Sequence, residues 1–308
     1  MAKPRLLITG GSGLLALNWA CAMRATWQVV LGTHRYPVRL DGIESRPLDL
    51  EDAARLEGRL AELAPDVVVH AAALTSVEQC EDDPALARHV NAELARNVAS
   101  VTAARGMYLV HISTDHLFAG DRSHYCEDDA PAPLNEYARS KLLGEEWVRQ
   151  FHPQALVLRT NFYGWGHARR QSFSDWVLQS LRGGREVTMF DDVHFTPLLA
   201  DALAVATHRL LDLSAVGLYH LAGDERISKY DFGIRLARAF GLPETLIRRG
   251  SVAEAGLQAN RPRDMSLDSG RARALLGAGT DGLDEHFQVL RRQEEAGRRE
   301  ELFQAVTE

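Results

Sequence analysis

The chain has 308 residues, 45% hydrophobic and 25% charged, a balance that fits one large α/β unit with a smaller appended lobe. A formal net charge of −7 argues against nucleic acid or an anionic membrane as the main partner, and no run nears the ~18 uninterrupted apolar residues of a membrane span. Three widely spaced cysteines (Cys21, Cys80, Cys126) form neither a disulfide framework nor a metal-ligand pattern, and no secretory segment precedes the first strand, so a cytoplasmic protein with no bound metal is expected.

Short β runs alternate with helical patterns through the first half, as in a parallel sheet wrapped by helices. Leu6–Thr9 is the first strand, Leu14–Ala25 an apolar helix and Gln28–Gly32 the second strand. Glu51–Leu63 is amphipathic and leads to strand Val67–Val69. A helical stretch over Pro84–Arg105 precedes strand Tyr108–Ile112; Asn135–Gln150 is helical, and Ala155–Arg159 is the fifth strand. The rhythm then changes. An aromatic, Gly-rich loop, 161–167, of the kind that often lines a ligand site, is followed by helix Asp175–Leu181, strand Glu186–Phe190, helix Leu198–Leu211, strand Leu218–Leu221, helix Lys229–Phe240 and a loop over 260–264. The charged run Arg291–Glu301 reads as a solvated helix. The expected architecture is a Rossmann-type doubly wound parallel sheet over residues 1–160 and a smaller α/β substrate lobe over 161–308, with segments near 186–215 returning to the first unit.

Strand one ends in Gly10-Gly11-Ser12-Gly13-Leu14-Leu15-Ala16, which fits Gly-x-x-Gly-x-x-Ala from Gly10 and Gly-x-Gly-x-x-Ala from Gly11. Glycines permit the tight turn and a close backbone approach to a pyrophosphate, while the helix N-terminus offers aligned N–H groups. A plain tight turn leaves three glycines before an apolar helix unexplained. Gly10, Ser12, Gly13, Leu14 and Leu15 are therefore expected to border a dinucleotide. An NAD site usually carries an acid about 20 residues on. Here no acid occurs before Asp41, and the corresponding stretch is Thr33-His34-Arg35. His34 and Arg35 thus point to NADP(H), with NADH as the alternative, since a carboxylate would repel a 2′-phosphate that Arg35 can pair; the bland reading of Arg35 is a surface arginine. Asp49 and Leu50 are candidates for the adenine edge.

Only three residues are lysines, against thirty-two arginines, and one of them, Lys141, lies four residues after Tyr137. On a solvated helix face such a pair means little. With Thr114 at the end of strand Tyr108–Ile112, where ligands of an open parallel sheet bind, it makes a carbonyl-reduction site. Tyr137 donates the proton, Thr114 orients the oxygen, and the Lys141 ammonium lowers the phenol from ~10 toward operating pH and holds ribose hydroxyls.

These residues resemble extended short-chain dehydrogenase/reductases, and within them the dTDP-4-dehydrorhamnose reductases. The resemblance runs the length of the chain: the glycine turn, His70-Ala71-Ala72-Ala73, Ser76-Val77-Glu78 through Pro84, Val90-Asn91, Ile112-Ser113-Thr114-Asp115, Pro133-Leu134-Asn135-Glu136-Tyr137-Ala138-Arg139-Ser140-Lys141, Leu158-Arg159-Thr160 and Arg261-Pro262. It implies NADPH-dependent reduction of a nucleotide-linked keto-deoxysugar by Thr114, Tyr137 and Lys141, with Asn91 in a proton relay and Ala71, Ala72 and Ala73 beside the cofactor. His116 stands where the family has an aromatic, and Asn161-Phe162 where it has Ser-Trp. Asp115, His116, Asn161, Phe162 and Arg261 are thus the substrate candidates, and Arg182 and Arg185 further candidates for a diphosphate. His116 reads either as a loop-ordering residue or as an acid. Two other readings stay open. One is a sugar-nucleotide epimerase or dehydratase, although Thr114-Asp115-His116 lacks the dehydratase glutamate. The other is an NADP(H)-binding regulatory subunit, since Pro131-Ala132-Pro133-Leu134-Asn135 is similar to a segment of the methionine adenosyltransferase beta subunit. A homodimer is left open.

Overall fold

In the computed structural model, which describes residues 3–306, seven strands form one parallel sheet: β1 (Arg5–Thr9), β2 (Gln28–Thr33), β3 (Glu44–Pro47), β4 (Val67–His70), β5 (Tyr108–Ile112), β6 (Leu156–Arg159) and β7 (Gly217–His220). Their spatial order is β7-β6-β5-β4-β1-β2-β3. The order reverses between β1 and β4, so the crevice beyond the carboxyl ends of those strands is where a ligand of such a sheet binds. Both faces are covered, and strand residues are apolar on both sides. Leu6 and Ile8 of β1 face one core with Val29, Leu31, Val67 and Val69, while Leu7 faces the other with Val30 and Val68.

The helix α2 (Ala53–Leu63) lays Leu56, Leu60 and Leu63 on the second core, which α3 (Leu94–Ala104) and α4 (Glu136–Phe151) complete. Asp52 caps α2 by accepting the Ala54 N–H at 2.9 Å and the Arg55 N–H at 3.1 Å. On the opposite face α1 (Leu14–Met23), buried nearly all round, packs between the sheet and α6 (Ala200–Asp212). The helical stretch before β5 is interrupted: a π-helical turn, His89–Glu93, joins Pro84–Arg88 to α3.

The chain returns to the large sheet with α6, inside the 186–215 stretch, and then with β7. The strand at Val187–Phe190 stays outside, paired in parallel with Ile247–Gly250, and His194–Phe195 pairs with Ile227–Ser228. The helices α5 (Phe173–Arg182) and α7 (Lys229–Ala239) pack on these strands around Phe173, Phe195, Phe232 and Phe287. That aromatic cluster is continuous with the core under α1. No helix among the described residues is long and apolar enough to cross a membrane.

Candidate active site

The turn after β1 is shaped by contact as much as by chain reversal. Gly10 has φ +66°, and a Cβ there would lie 2.7 Å from the Ala72 Cα. Only a glycine lets the turn approach the Ala71–Ala73 segment after β4 so closely. The Gly13 N–H closes the turn on the Gly10 carbonyl at 2.7 Å, the Gly11 N–H reaches the Gly32 carbonyl at 2.9 Å, and Gly13 leads into α1. Thr9 Oγ1 receives the Ala71 and Ala72 N–H groups at 3.2 and 3.3 Å and meets His70 Nδ1 at 2.8 Å. Leu14 flanks the turn half-buried, whereas Leu15 points into the core.

Beside β2 and β3 lies an open pocket of about 490 Å³ lined by Thr33, His34, Leu48, Asp49, Arg55 and Arg59, among others. Arg35 is exposed and outside that lining; the guanidiniums that line it come from α2. Asp49 Oδ1 accepts the Glu51 N–H at 2.9 Å, which holds its carboxyl below the usual range, with Arg55 adding to the effect. Leu50 packs on the second core, and Asn97 donates to its carbonyl at 3.0 Å. The glycine cradle at the reversal of strand order, and beside it this polar pocket in which Arg55 and Arg59 stand with Asp49 and Glu62, fit a dinucleotide.

The helix α4 starts at Asn135, whose Oδ1 accepts the Ala138 N–H at 2.9 Å and whose Nδ2 donates to the Asn260 carbonyl at 2.8 Å. One buried side chain thus caps the helix bearing Tyr137 and ties it to the loop bearing Arg261. The Asn91 amide, in the π-helical turn, donates to Ser140 Oγ at 2.9 Å and to the Leu74 carbonyl at 3.0 Å, and accepts the Leu74 N–H at 2.8 Å. Asn91 therefore orders the chain around α4. A Cβ on Gly144 would sit 2.2 Å from the Asn91 carbonyl oxygen, so helix and turn pack backbone to backbone.

Lys141 is buried and donates to the Ile112 carbonyl at 2.7 Å. Burial pushes its ammonium down to about 8, opposed by the Glu145 carboxylate. Glu145 is locked in turn: Arg159 reaches it at 2.6 and 3.1 Å and Ser113 Oγ at 2.9 Å. Ser113 is thus spent on this network, and Thr114 is left to face Tyr137. Burial pushes the phenol up to about 12; Thr114 opposes this, and the cation that does so is Arg170 rather than Lys141. The Lys141 ammonium is turned to the β5 carbonyl. Beneath it His70 and His111 stack at 5.4 Å; burial, and after it the Lys141 charge, keep both rings neutral, His70 down to about 3.

Thr114 Oγ1 donates to Asp115 Oδ1 at 3.2 Å and accepts the His116 N–H at 3.3 Å. Asn161 Nδ2 donates to Asp115 Oδ2 at 2.7 Å, and the His116 ring meets Tyr137 edge-on at 5.6 Å. Burial holds His116 below its usual value, and its Nδ1 has no partner among the described residues. Arg261 pairs with Glu78 at 2.6 Å and acts electrostatically on His116. Asp115, His116, Asn161 and Arg261 thus converge beside Tyr137.

Phe162 does not join them: it starts the short strand Phe162–Tyr163, which pairs with Leu198–Leu199, and it packs on the core. Tyr163 and Trp165 are also core residues, so the aromatics of the loop are structural, and it is His167 that approaches Ser12 of the glycine turn. Arg182 is paired with Glu294 at 2.6 Å, and Arg185 lies beside Ser180. Sequence reasoning missed Arg55 and Arg59, Arg170 (which bonds Thr75) and Lys229. The signal available for Lys229 was the scarcity of lysine itself.

Comparison with known proteins agrees with this arrangement. The family described as the RmlD substrate binding domain matches residues 4–288. The chain is similar to a probable low-salt glycan biosynthesis reductase, Agl14, of Haloferax volcanii, 33% identical over 92% of this chain and 96% of that one. It is also similar to the methionine adenosyltransferase 2 subunit beta of Bos taurus, 29% identical over 88% and 82% of the two chains. The crystal structure of dTDP-4-dehydrorhamnose reductase from Bacillus anthracis in complex with NADP superposes with a TM-score of 0.85 at 26% identity, covering 95% of this chain and all of that one.

Proposed function

The chain belongs to the RmlD substrate binding domain family, and from that premise we propose that it is an NADPH-dependent reductase of a nucleotide-linked keto-deoxysugar. The observation that carries the reading is Tyr137: a buried phenol, protonated at neutral pH, beside Thr114 and on the helix that brings Lys141 to the carboxyl end of β5. NADPH, when bound, supplies the hydride. The turn 10–15 and the Ala71–Ala73 backbone hold its pyrophosphate and nicotinamide half. His34, Arg55 and Arg59 face its adenosine ribose, and Asp49 the adenine edge.

Tyr137 gives its proton to the sugar oxygen, and a high pKa keeps that proton in place until negative charge develops. Thr114 orients the oxygen. Lys141 holds ribose hydroxyls and, with an ammonium near 8, is poised to return a proton to the tyrosinate. Glu145 and Arg159 keep Lys141 in position, and Asn91 orders the α4 side of the site. Asp115 and Asn161 form one hydrogen-bonded unit that reads sugar hydroxyls, with His116 closing the pocket on Tyr137. The sheet half, completed by β7, carries the cofactor, while most of 161–308 forms the sugar and nucleotide lobe.

The test is NADPH oxidation against a panel of 4-keto-6-deoxy nucleotide sugars. Turnover with one of them supports the reading. Tight NADPH binding without turnover on any favours the regulatory reading, and tightly retained NAD favours an epimerase.

A further inference from the structure

Lys229 has no part in the reaction derived so far, yet this arginine-rich chain places it, half-buried, close enough to act on His116. It opens α7, with its backbone N–H bonded to the Val193 carbonyl at 2.9 Å. Its ammonium stands 3.3 Å over the centroid of the buried Phe195 ring and 4.8 Å from that of Phe173. Among the described residues no oxygen lies within hydrogen-bonding or ion-pairing distance of its Nζ. Half-buried against two aromatic faces, the ammonium keeps its donors free for an acceptor from outside the chain.

The nearby charges are already committed or of the wrong sign. Asp115 is held by Asn161 and Thr114. Arg261 is paired with Glu78 and repels the ammonium. Burial, and to a lesser extent Arg261, push Lys229 down to about 8 against the pull of Asp115. Both cations act on His116, whose ring touches Tyr137. They therefore stand beside the neighbour of the reacting phenol rather than on the phenol itself, as a substrate with a sugar ring between carbonyl and phosphate requires.

We propose that Lys229 is a substrate-binding residue whose ammonium takes an anionic oxygen of the diphosphate next to the sugar, with Arg261 as the second cation of that subsite. This rests on the reductase reading and adds an anion subsite to it.

The test is calorimetric binding of dTDP, UDP and the matching nucleosides to the NADPH-loaded wild type, Lys229→Met and Lys229→Arg, with steady-state kinetics alongside. Loss of one charge-assisted contact predicts nucleoside diphosphate binding about 10- to 100-fold weaker in Lys229→Met. Nucleoside and NADPH affinities stay unchanged, and KM rises more than kcat falls. Wild-type diphosphate affinity should also decline as pH rises through about 8, where Lys229→Arg, whose cation does not titrate, shows no such decline. That second variant decides the matter if Lys229→Met loses NADPH binding and so has not folded. Diphosphate binding equal in Lys229→Met and wild type overturns the proposal while leaving the reductase intact. So does a loss confined to the sugar nucleotide, which would assign Lys229 to a sugar oxygen. A wild type that neither binds a nucleoside diphosphate nor turns over a nucleotide sugar refutes the reductase reading and this inference with it.

Discussion

Replacing Glu145 by Gln tests whether the network behind Lys141 is built as described. The Arg159–Glu145 pair is 2.6 Å long, with side chains 3% and 2% exposed, and Ser113 Oγ donates to the same carboxylate at 2.9 Å. Glutamine keeps the shape but removes the charge and turns an N–H₂ toward donors. Arg159 is left buried without a counter-charge, with a neutral amide oxygen, the Phe118 ring and the His220 ring nitrogen beside it. Breaking a buried pair from one side costs about 3–5 kcal/mol. At ~2.1 cal/mol/K per residue the unfolding entropy of 308 residues is about 0.65 kcal/mol/K, so the loss corresponds to roughly 5–8 °C in Tm.

Thermal and urea unfolding measure it. Replacing both partners by apolar residues, Glu145→Leu with Arg159→Met, should restore most of the loss, because the desolvation penalty leaves with the charges. Activity gives an independent readout. Glu145 is the group that raises Lys141 against burial, so its removal lowers the Lys141 pKa further. The alkaline fall in kcat, expected in the wild type as pH rises through about 8 and the ammonium deprotonates, should move to lower pH in the variant. A single variant that loses less than ~1 kcal/mol, or a pH profile that does not move, would refute the reasoning.

Tyr137→Phe should lower kcat by about 10²–10⁴ with NADPH affinity unchanged, measured by stopped-flow turnover and fluorescence titration; full activity would remove the phenol from the proton step. Gly10→Ala puts a methyl 2.7 Å from the Ala72 Cα at φ +66°, so NADPH binding should weaken at least ~10-fold, and unchanged affinity would show that the turn does not hold the cofactor. Arg55→Ala should lower the NADPH-over-NADH preference in kcat/KM by about tenfold, the weight of one charge-assisted contact, while Arg35→Ala leaves it nearly constant; the reverse pattern would return the specificity to Arg35.

The glycine turn and the strands β1, β2, β4, β5 and β6 were readable, and the trio Thr114, Tyr137 and Lys141 could be proposed, because each is a local pattern. Periodicity, a turn sequence or a one-turn spacing is present in a short window. What escaped depends on contacts distant in sequence. β3 is Glu44-Ser45-Arg46-Pro47, a polar edge strand with a proline at its end, and nothing apolar marks it. Arg55 and Arg59 lie on the exposed face of α2, and only the β2–β3 geometry turns that face toward the pocket. The aromatic loop suggested a ligand site, but Tyr163 and Trp165 are used by the core, since α1 offers Asn18 to the Trp165 backbone and α7 offers Phe232 to Tyr163.

The choice between the two basic residues follows the same logic. Lys3 sits at the surface, bonded to the Arg24 carbonyl. The other two lysines lie in corners where an arginine would need what Arg159 has: a coplanar carboxylate, a ring to lie on and a second acceptor. A buried guanidinium is thereby consumed by the fold, since its five donors demand a fixed fork of partners. An ammonium on an apolar stem can be buried with one acceptor, as Lys141 is, or half-buried with no acceptor among the described residues, as Lys229 is. Donors left over, and pKa values near 8 instead of beyond 12, let such a group meet a ligand and exchange a proton. On the proposed reading, Lys141 and Lys229 keep donors for a ligand, whereas the buried guanidinium of Arg159 is consumed by the fold.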